Sequence, residues 1–207
     1  MVITYAGGYC FKVSSGDTML AINPPSQTSE MKVSKFGADV VFISANHKDW
    51  DGEETASHGG KEPFVLRGPG AYEIGDVAVE GYPTEGAVGG EIENFKNTIY
   101  SVQFDGMHIV LLGALSNAKL PQSARANLDD VDIIFVPIGA DTLDAKGSHD
   151  LVTTLEPRLV IPYQVGKGDD IKEFLKTAGS TAVKPVEKLT LRAKDLQGNE
   201  GEIALLK

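Results

Sequence analysis

Short apolar runs separated by tight polar turns fill the first half of the chain. Val2 to Tyr5, Cys10 to Val13 and Met19 to Ile22 are too short for stable helices and read as strands, and Ser14-Ser15-Gly16-Asp17 between the last two is a hairpin signal. Asn23-Pro24-Pro25 must leave the sheet, because proline has no N–H to give to a ladder. A weak helical stretch is predicted around Met31 to Phe36, ahead of a continuous apolar run, Val40 to Ile43, that reads as a buried strand. Phe64 to Leu66, Ala71 to Ile74 and Val77 to Tyr82 then predict a meander punctuated by Gly68-Pro69-Gly70 and Gly75-Asp76. Thr98 to Phe104 and Met107 to Leu112 flank Asp105-Gly106, a strong hairpin signal.

Beyond that hairpin the pattern alternates. A strand at Val131 to Val136, a helix at Ser148 to Leu155 stopped by Pro157, a strand at Leu159 to Ile161 and a helix at Asp169 to Thr177 precede two last strands, Lys188 to Leu191 and Ile203 to Leu206. Two strand-rich portions with helices interspersed predict sheets packed face to face with helices outside. Periodicity alone goes no further than α/β or α+β.

With 207 residues, 42% of them hydrophobic, the chain is long enough for one buried core, and a single domain over 1–207 is expected. It has no run near the roughly twenty apolar residues of a membrane span and no signal-peptide pattern, so a soluble, cytoplasmic protein is expected. The one cysteine, Cys10, sits in a strand-like run and reads as a buried structural thiol. A net charge of -10 with scattered basic residues argues against a nucleic-acid partner. The densest basic group, Lys184, Lys188, Arg192 and Lys194, is interleaved with Glu187 and Asp195 and reads as a solvated face. A small molecule or another protein remains as partner, and open sheet edges permit a homo-oligomer.

The candidate chemistry follows the Val40 strand, in Ser44-Ala45-Asn46-His47-Lys48-Asp49-Trp50-Asp51-Gly52. Polar residues beyond a strand's carboxyl end fall where α/β proteins place functional groups, so His47 and Asp49 are expected at the mouth of a site. His47 could be a metal ligand or general base, or simply a polar loop residue, and the last reading is favoured. A catalytic zinc needs about three protein ligands plus an open position, and one histidine with one aspartate falls short. The chain has only four histidines. His58 lies in a Ser-His-Gly-Gly loop, His108 on a strand face, and His149 in a first helical turn behind Ser148 as N-cap. Glu85 to Glu91 is glycine-rich, lacks the Gly-Lys-Ser/Thr ending of a phosphate loop, and reads as a loop at the site's edge.

The loop after Val40 resembles the Ser/Thr-His-x-His-x-Asp-His signature of metallo-β-lactamase-fold hydrolases, with Ala45 and Trp50 at the first and last histidine positions and His47 and Asp49 kept. Further segments are similar to one small single-domain branch of that family, zinc-dependent hydrolases akin to the L-ascorbate-6-phosphate lactonase-like group. Val2 to Lys12 resembles its Tyr-Leu-Gly-His-x-Cys-Phe-Lys opening, with Gly8 for the histidine, and Ile22-Asn23-Pro24 its Asp-Pro step, with Asn23 for the aspartate. Gly68-Pro69-Gly70-Ala71-Tyr72-Glu73-Ile74 and Asn97-Thr98-Ile99-Tyr100 match framework segments. Pro83-Thr84-Glu85 stands where another histidine usually follows, Ala114 where the metal-bridging aspartate belongs, and Gln164 where the final histidine belongs.

The resemblance implies an α+β fold, an αββα sandwich of two packed mixed sheets with helices on the outer faces. It also implies a site around His47, Asp49, Trp50, Ala114, Asp144, Lys146 and Gln164. Asp144 and Lys146 could face the cleft, or Asp144 could cap the following helix, and Trp50 could fill the volume of two metals and their waters. Two functions stay open. The first is a metal-free homologue with a binding or regulatory role and no cofactor. The second is a hydrolase of a small ester, lactone or phosphorylated substrate, using His47 and Asp49 with zinc or manganese.

Overall fold

In the computed structural model, which describes residues 1–88 and 92–207, the early strands are β1 (Val2–Gly7), β2 (Cys10–Ser15), β3 (Thr18–Ile22), β4 (Val40–Ile43) and β5 (Phe64–Arg67). A short helix α1 (Glu53–Ala56) lies between the last two. The next strands are β6 (Gly70–Ile74), β7 (Val77–Val88), β8 (Ile92–Phe104) and β9 (Met107–Leu111). After a short α2 (Gln122–Arg125) come β10 (Ile133–Ile138), α3 (Ala145–Leu155), β11 (Leu159–Gln164) and α4 (Asp170–Thr177). Two short strands, β12 (Lys188–Thr190) and β13 (Glu202–Ile203), follow.

The strands form a six-stranded sheet in the order β12-β1-β2-β3-β4-β5 and a seven-stranded sheet in the order β13-β11-β10-β9-β8-β7-β6. Both are mixed. In the first, β1 to β3 pair antiparallel and β3 to β5 parallel. In the second, β6 to β9 pair antiparallel, and β9, β10, β11 and β13 run parallel. Their inner faces share one core that includes Phe11, Phe42, Leu66, Tyr100, Ile109 and Phe135. A second cluster, with Val110, Ile134, Leu151 and Phe174, packs α3 and α4 against the outer face of the larger sheet. The outer face of the smaller sheet has a thinner cover, where Ala21, Val41 and Ile43 meet Ala38 and Ala56. The architecture is the expected two-sheet α+β sandwich, with its helices mostly on one side.

Both hairpin signals hold, because each is written in adjacent residues. Asp105 and Gly106 both take positive φ, 54° and 69°, as a two-residue turn of this hand requires. Gly16, at φ 55°, turns β2 into β3.

Several boundaries differ from the sequence expectations. Met31 to Phe36 is not helical. An isolated helix that short does not hold itself, and the chain instead lies along the α1 segment, with Phe36 N and Ala38 N donating to Thr55 O and Ala56 O at 3.0 and 2.8 Å. The expected meander is split: β5 stays in the smaller sheet, and the chain crosses to the larger one at Gly68-Pro69-Gly70. Gly68 takes φ 125°, a corner closed to residues with a side chain. The two last strands join different sheets, β12 beside β1 and β13 beside β11. Residues 85–88 extend β7 rather than forming a loop, and the rest of that glycine-rich segment, 89–91, lies outside the described residues. Helix α3 begins before Ser148, because Asp144 is its N-cap and its carboxylate accepts from Gly147 N at 2.6 Å. Ser148 is instead buried inside the helix, and His149 falls in its second turn. His108 lies in β9, as expected of a strand-face residue, and is buried: Nε2 lies 2.8 Å from Ser101 Oγ and Nδ1 3.1 Å from Asp129 O.

Candidate functional site

The loops after β4 and β9 meet where the carboxyl ends of the two sheets converge. Their junction is built around Asn97 of β8, which is 1% exposed and hydrogen-bonded at both ends of its amide. Its Nδ2 donates to Thr84 Oγ1 at 2.8 Å and Leu112 O at 3.0 Å, and its Oδ1 accepts from Ala114 N at 2.9 Å. Ala45 bridges to Asn97, and Thr98 N donates to Ser44 O at 2.8 Å, so one short stretch of β8 ties both loops together. Asn23, also buried, holds the loop from the other side by accepting from Ser44 N at 2.9 Å. The approach is so close that a Cβ on Gly113 would lie 2.4 Å from Asn97 Oδ1 and 2.5 Å from Ser44 Cβ.

Tyr100, three residues along β8, clamps the carboxyl end of the parallel β4–β5 pair. Its hydroxyl accepts from Gly68 N at 3.0 Å and lies 2.9 Å from Ile43 O and 3.1 Å from Leu66 O. Burial pushes this phenol up to about 12. Asn97 and Tyr100 fall in a segment that matches the resembled framework, and nothing adjacent in the sequence points to these roles. The available signal was a buried-type strand carrying an amide with nothing local to bond.

His47 and Asp49 lie side by side in a tight turn, in which Trp50 N and Asp51 N both donate to His47 O, at 2.8 and 2.9 Å. His47 Nδ1 is 3.8 Å from Asp49 Oδ2 and accepts from Asp49 N at 3.2 Å. The other oxygen of Asp49 accepts from the buried hydroxyl of Ser29 at 2.5 Å. Ser29 was not legible in the sequence as part of the site, because it lies in a different loop, twenty positions away.

Trp50 points inward. It is 0% exposed and stacks on Tyr9, with ring centroids 4.4 Å apart and planes 28° from parallel. Tyr163 meets Trp50 edge-on at 6.3 Å and donates its hydroxyl to Gly113 O. Ala45, Ala114 and Val165 belong to the same core cluster. Burial raises the Tyr163 phenol well above its usual value, with Tyr9 adding to it, and burial likewise raises Tyr9. Both rings are therefore neutral groups, packed as hydrophobes with one polar tip each.

The remaining expected residues are engaged locally. Gln164, at the end of β11, donates to Asp170 Oδ2 at 2.6 Å and accepts from Ile171 N at 3.4 Å, holding the start of α4. Asp144 is the exposed cap of α3, and Lys146 pairs with Asp150 one turn further on the same helix. The structure thus brings Trp50 and Ala114 into one buried cluster, sets His47 and Asp49 beside it, and engages Gln164 with the start of α4 and Asp144 and Lys146 with α3.

A family model for the beta-lactamase superfamily domain matches residues 2–164. The chain belongs to the beta-lactamase superfamily. It is similar along 97% of its length to the UPF0173 protein PF0020 of Pyrococcus furiosus, at 25% identity over 227 residues covering 99% of that relative. Its structure is similar to that of a Thermotoga maritima protein described as a candidate Zn-dependent hydrolase of the metallo-beta-lactamase superfamily. That likeness has a TM-score of 0.76 and 22% identity, over 99% of this chain and 97% of the other. Igni18, a metallo hydrolase from Ignicoccus hospitalis, is similar at TM-score 0.59 and 18% identity, over 92% and 99%. These likenesses show that the fold is the metallo-beta-lactamase one.

The metal implied for this beta-lactamase superfamily fold can be tested against the donors present. Ala45 and Ala114 have no lone pair to offer, and the Trp50 indole nitrogen is only a donor. The Gln164 amide is spent on α4. One Asp49 oxygen is taken by Ser29. Among the described residues no group of three or more His, Cys, Asp or Glu side chains is placed to hold a metal ion. The donor set does not fit a zinc or two-metal centre. Among those residues, too, no helix is long and apolar enough to cross a membrane.

Proposed function

We propose that this chain is a metal-free homologue of the metal-dependent hydrolases of its superfamily, keeping the scaffold for a binding or regulatory role. The observation that carries the reading is Trp50. At a position where the resembled hydrolases place a ligand, an indole is wholly buried against Tyr9 and Tyr163. A packed aromatic cluster leaves neither the lone pairs nor the open coordination position that metal-assisted hydrolysis needs. Asp49 fits the same reading: in a hydrolase it would act on metal-bound water, and here it accepts a hydrogen bond from Ser29.

The test is metal content, by inductively coupled plasma mass spectrometry, of tag-free protein expressed with added zinc, manganese and iron. The expected result is far below one metal per chain. Near-stoichiometric metal, lost together with any esterase, lactonase or phosphatase activity in a His47→Ala and Asp49→Ala double variant, would overturn the reading and establish the hydrolase in its place.

A further inference from the structure

Between β3 and β4 the chain does not take the direct route. Residues 23–32 form a strap that touches the two segments carrying the stacked rings. On one side it meets the β1–β2 turn beside Tyr9: a Cβ on Gly8 would lie 2.7 Å from Met31 Sδ, and one on Gly7 3.3 Å from Lys32 O. On the other it meets the loop that carries Trp50. Ser26 N donates to Lys48 O at 2.7 Å, Thr55 Oγ1 to Pro25 O at 2.7 Å, and Gly52 packs directly on the Pro25 carbonyl. Met31 adds apolar contact to the core cluster that contains both rings.

One side chain joins the middle of the strap to the site. Ser29 donates from Oγ to Asp49 and accepts with the same oxygen from Met31 N at 3.0 Å, so its hydroxyl fixes the strap's own turn and its attachment together. Next to Asp49 in the chain, Trp50 has its Nε1 buried with no hydrogen-bond partner. An indole N–H without an acceptor is poorly satisfied in the closed state and would gain one from water on opening. Closure therefore depends on the strap's own contacts, and the charge-assisted bond to Asp49 is the strongest type among them.

We propose that segment 23–32 is a lid over the Tyr9–Trp50 stack and that the Ser29–Asp49 hydrogen bond is its latch. The residue that serves hydrolytic chemistry in the resembled family here holds a loop shut, and the rings meet solvent only when that bond opens. Open and closed forms are in equilibrium through local unfolding of the strap, while the sheets stay intact.

Because Trp50 is the chain's only tryptophan, its fluorescence reports on the lid directly. Acrylamide, a neutral quencher, is the probe. Loss of a charge-assisted hydrogen bond raises the open population roughly tenfold, so Ser29→Ala and Asp49→Asn should each quench severalfold more strongly than the parent, with an unchanged far-UV spectrum. Thr28→Ala, which removes an exposed hydroxyl contact within the same strap, should quench as the parent does. Equal quenching in all four proteins, or an equal rise in Thr28→Ala, would overturn the latch. Should the latch variants fail to fold, hydrogen exchange on the parent decides: the Ser26, Ser29 and Met31 amides should exchange together, at a cost below global unfolding. Exchange of these amides only through global unfolding would overturn the lid. Metal content has no bearing on either readout, so this inference and the proposed function can fail separately.

Discussion

Trp50 and Tyr9 lie ring on ring, 4.4 Å between centroids and 28° from parallel, with the indole wholly buried. Removing the indole leaves a cavity lined by Tyr9, Tyr163 and their neighbours, so Trp50→Ala should cost about 3–5 kcal/mol. Trp50→His, which restores a family residue, should also destabilise and should gain no zinc, since Ala45 and Ala114 still supply no ligand. Urea denaturation followed by circular dichroism measures the first effect. Metal content after dialysis against zinc measures the second, and stoichiometric uptake would contradict it.

Asn97 ties β7 to the loop after β9 with one side-chain amide. Asn97→Ala would strip Leu112 O and Ala114 N of their partners inside the protein. Each unsatisfied buried group costs about 1–3 kcal/mol, so a loss of roughly 3 kcal/mol or more is expected in chemical denaturation. Asn97→Asp should not rescue it, because a carboxylate would face Leu112 O without a proton to donate. A variant within 1 kcal/mol of the parent would show that the amide does not hold the junction.

Asp144 and Lys146 separate a capping role from a site role. Asp144→Ala should lower stability by about 1 kcal/mol through loss of the α3 cap. Lys146→Ala should leave the denaturation midpoint unchanged, since its ion pair with Asp150 is exposed. In a ligand-binding assay neither variant should alter affinity; a loss in either would place it in the working site.

Stability should fall in alkali. The phenols of Tyr163 and Tyr9 are raised in the folded protein, so folding favours their neutral forms. That contribution is complete below the unfolded value of about 10 and is lost as pH rises above it toward the folded values. Each such phenol should steepen the decline by about 1.4 kcal/mol per pH unit in that window. Tyr163→Phe should therefore be less stable than the parent at pH 7, where Gly113 O loses its donor, and should decline less steeply above pH 10. Parallel pH profiles for the two proteins would rule out Tyr163 as a source of the alkaline loss.

Much of the strand framework was legible because its signals are local. The turns at Ser14 to Asp17 and Asp105-Gly106 depend on residues next to one another, and the apolar runs of β4, β9 and β10 mark buried strands wherever they pack. The start of α3 was misplaced because Ser148 and Asp144 are both capping types, and only the backbone path shows which one faces a free N–H. The helix expected at Met31 to Phe36 failed because the α1 segment offers that chain a different set of partners.

For the site, the chain's residue types already decided that the side chains of Ala45, Trp50 and Ala114 offer no lone pair to a metal in any conformation. Tertiary structure alone decided what those residues pack against. That Trp50 turns inward onto Tyr9, that Ser29 reaches Asp49, and that Asn97 finds Ala114 are contacts between distant segments. They exist only because each sheet sets strands and loops from distant parts of the sequence side by side, and no local pattern of residues records which side chains that pairing brings together.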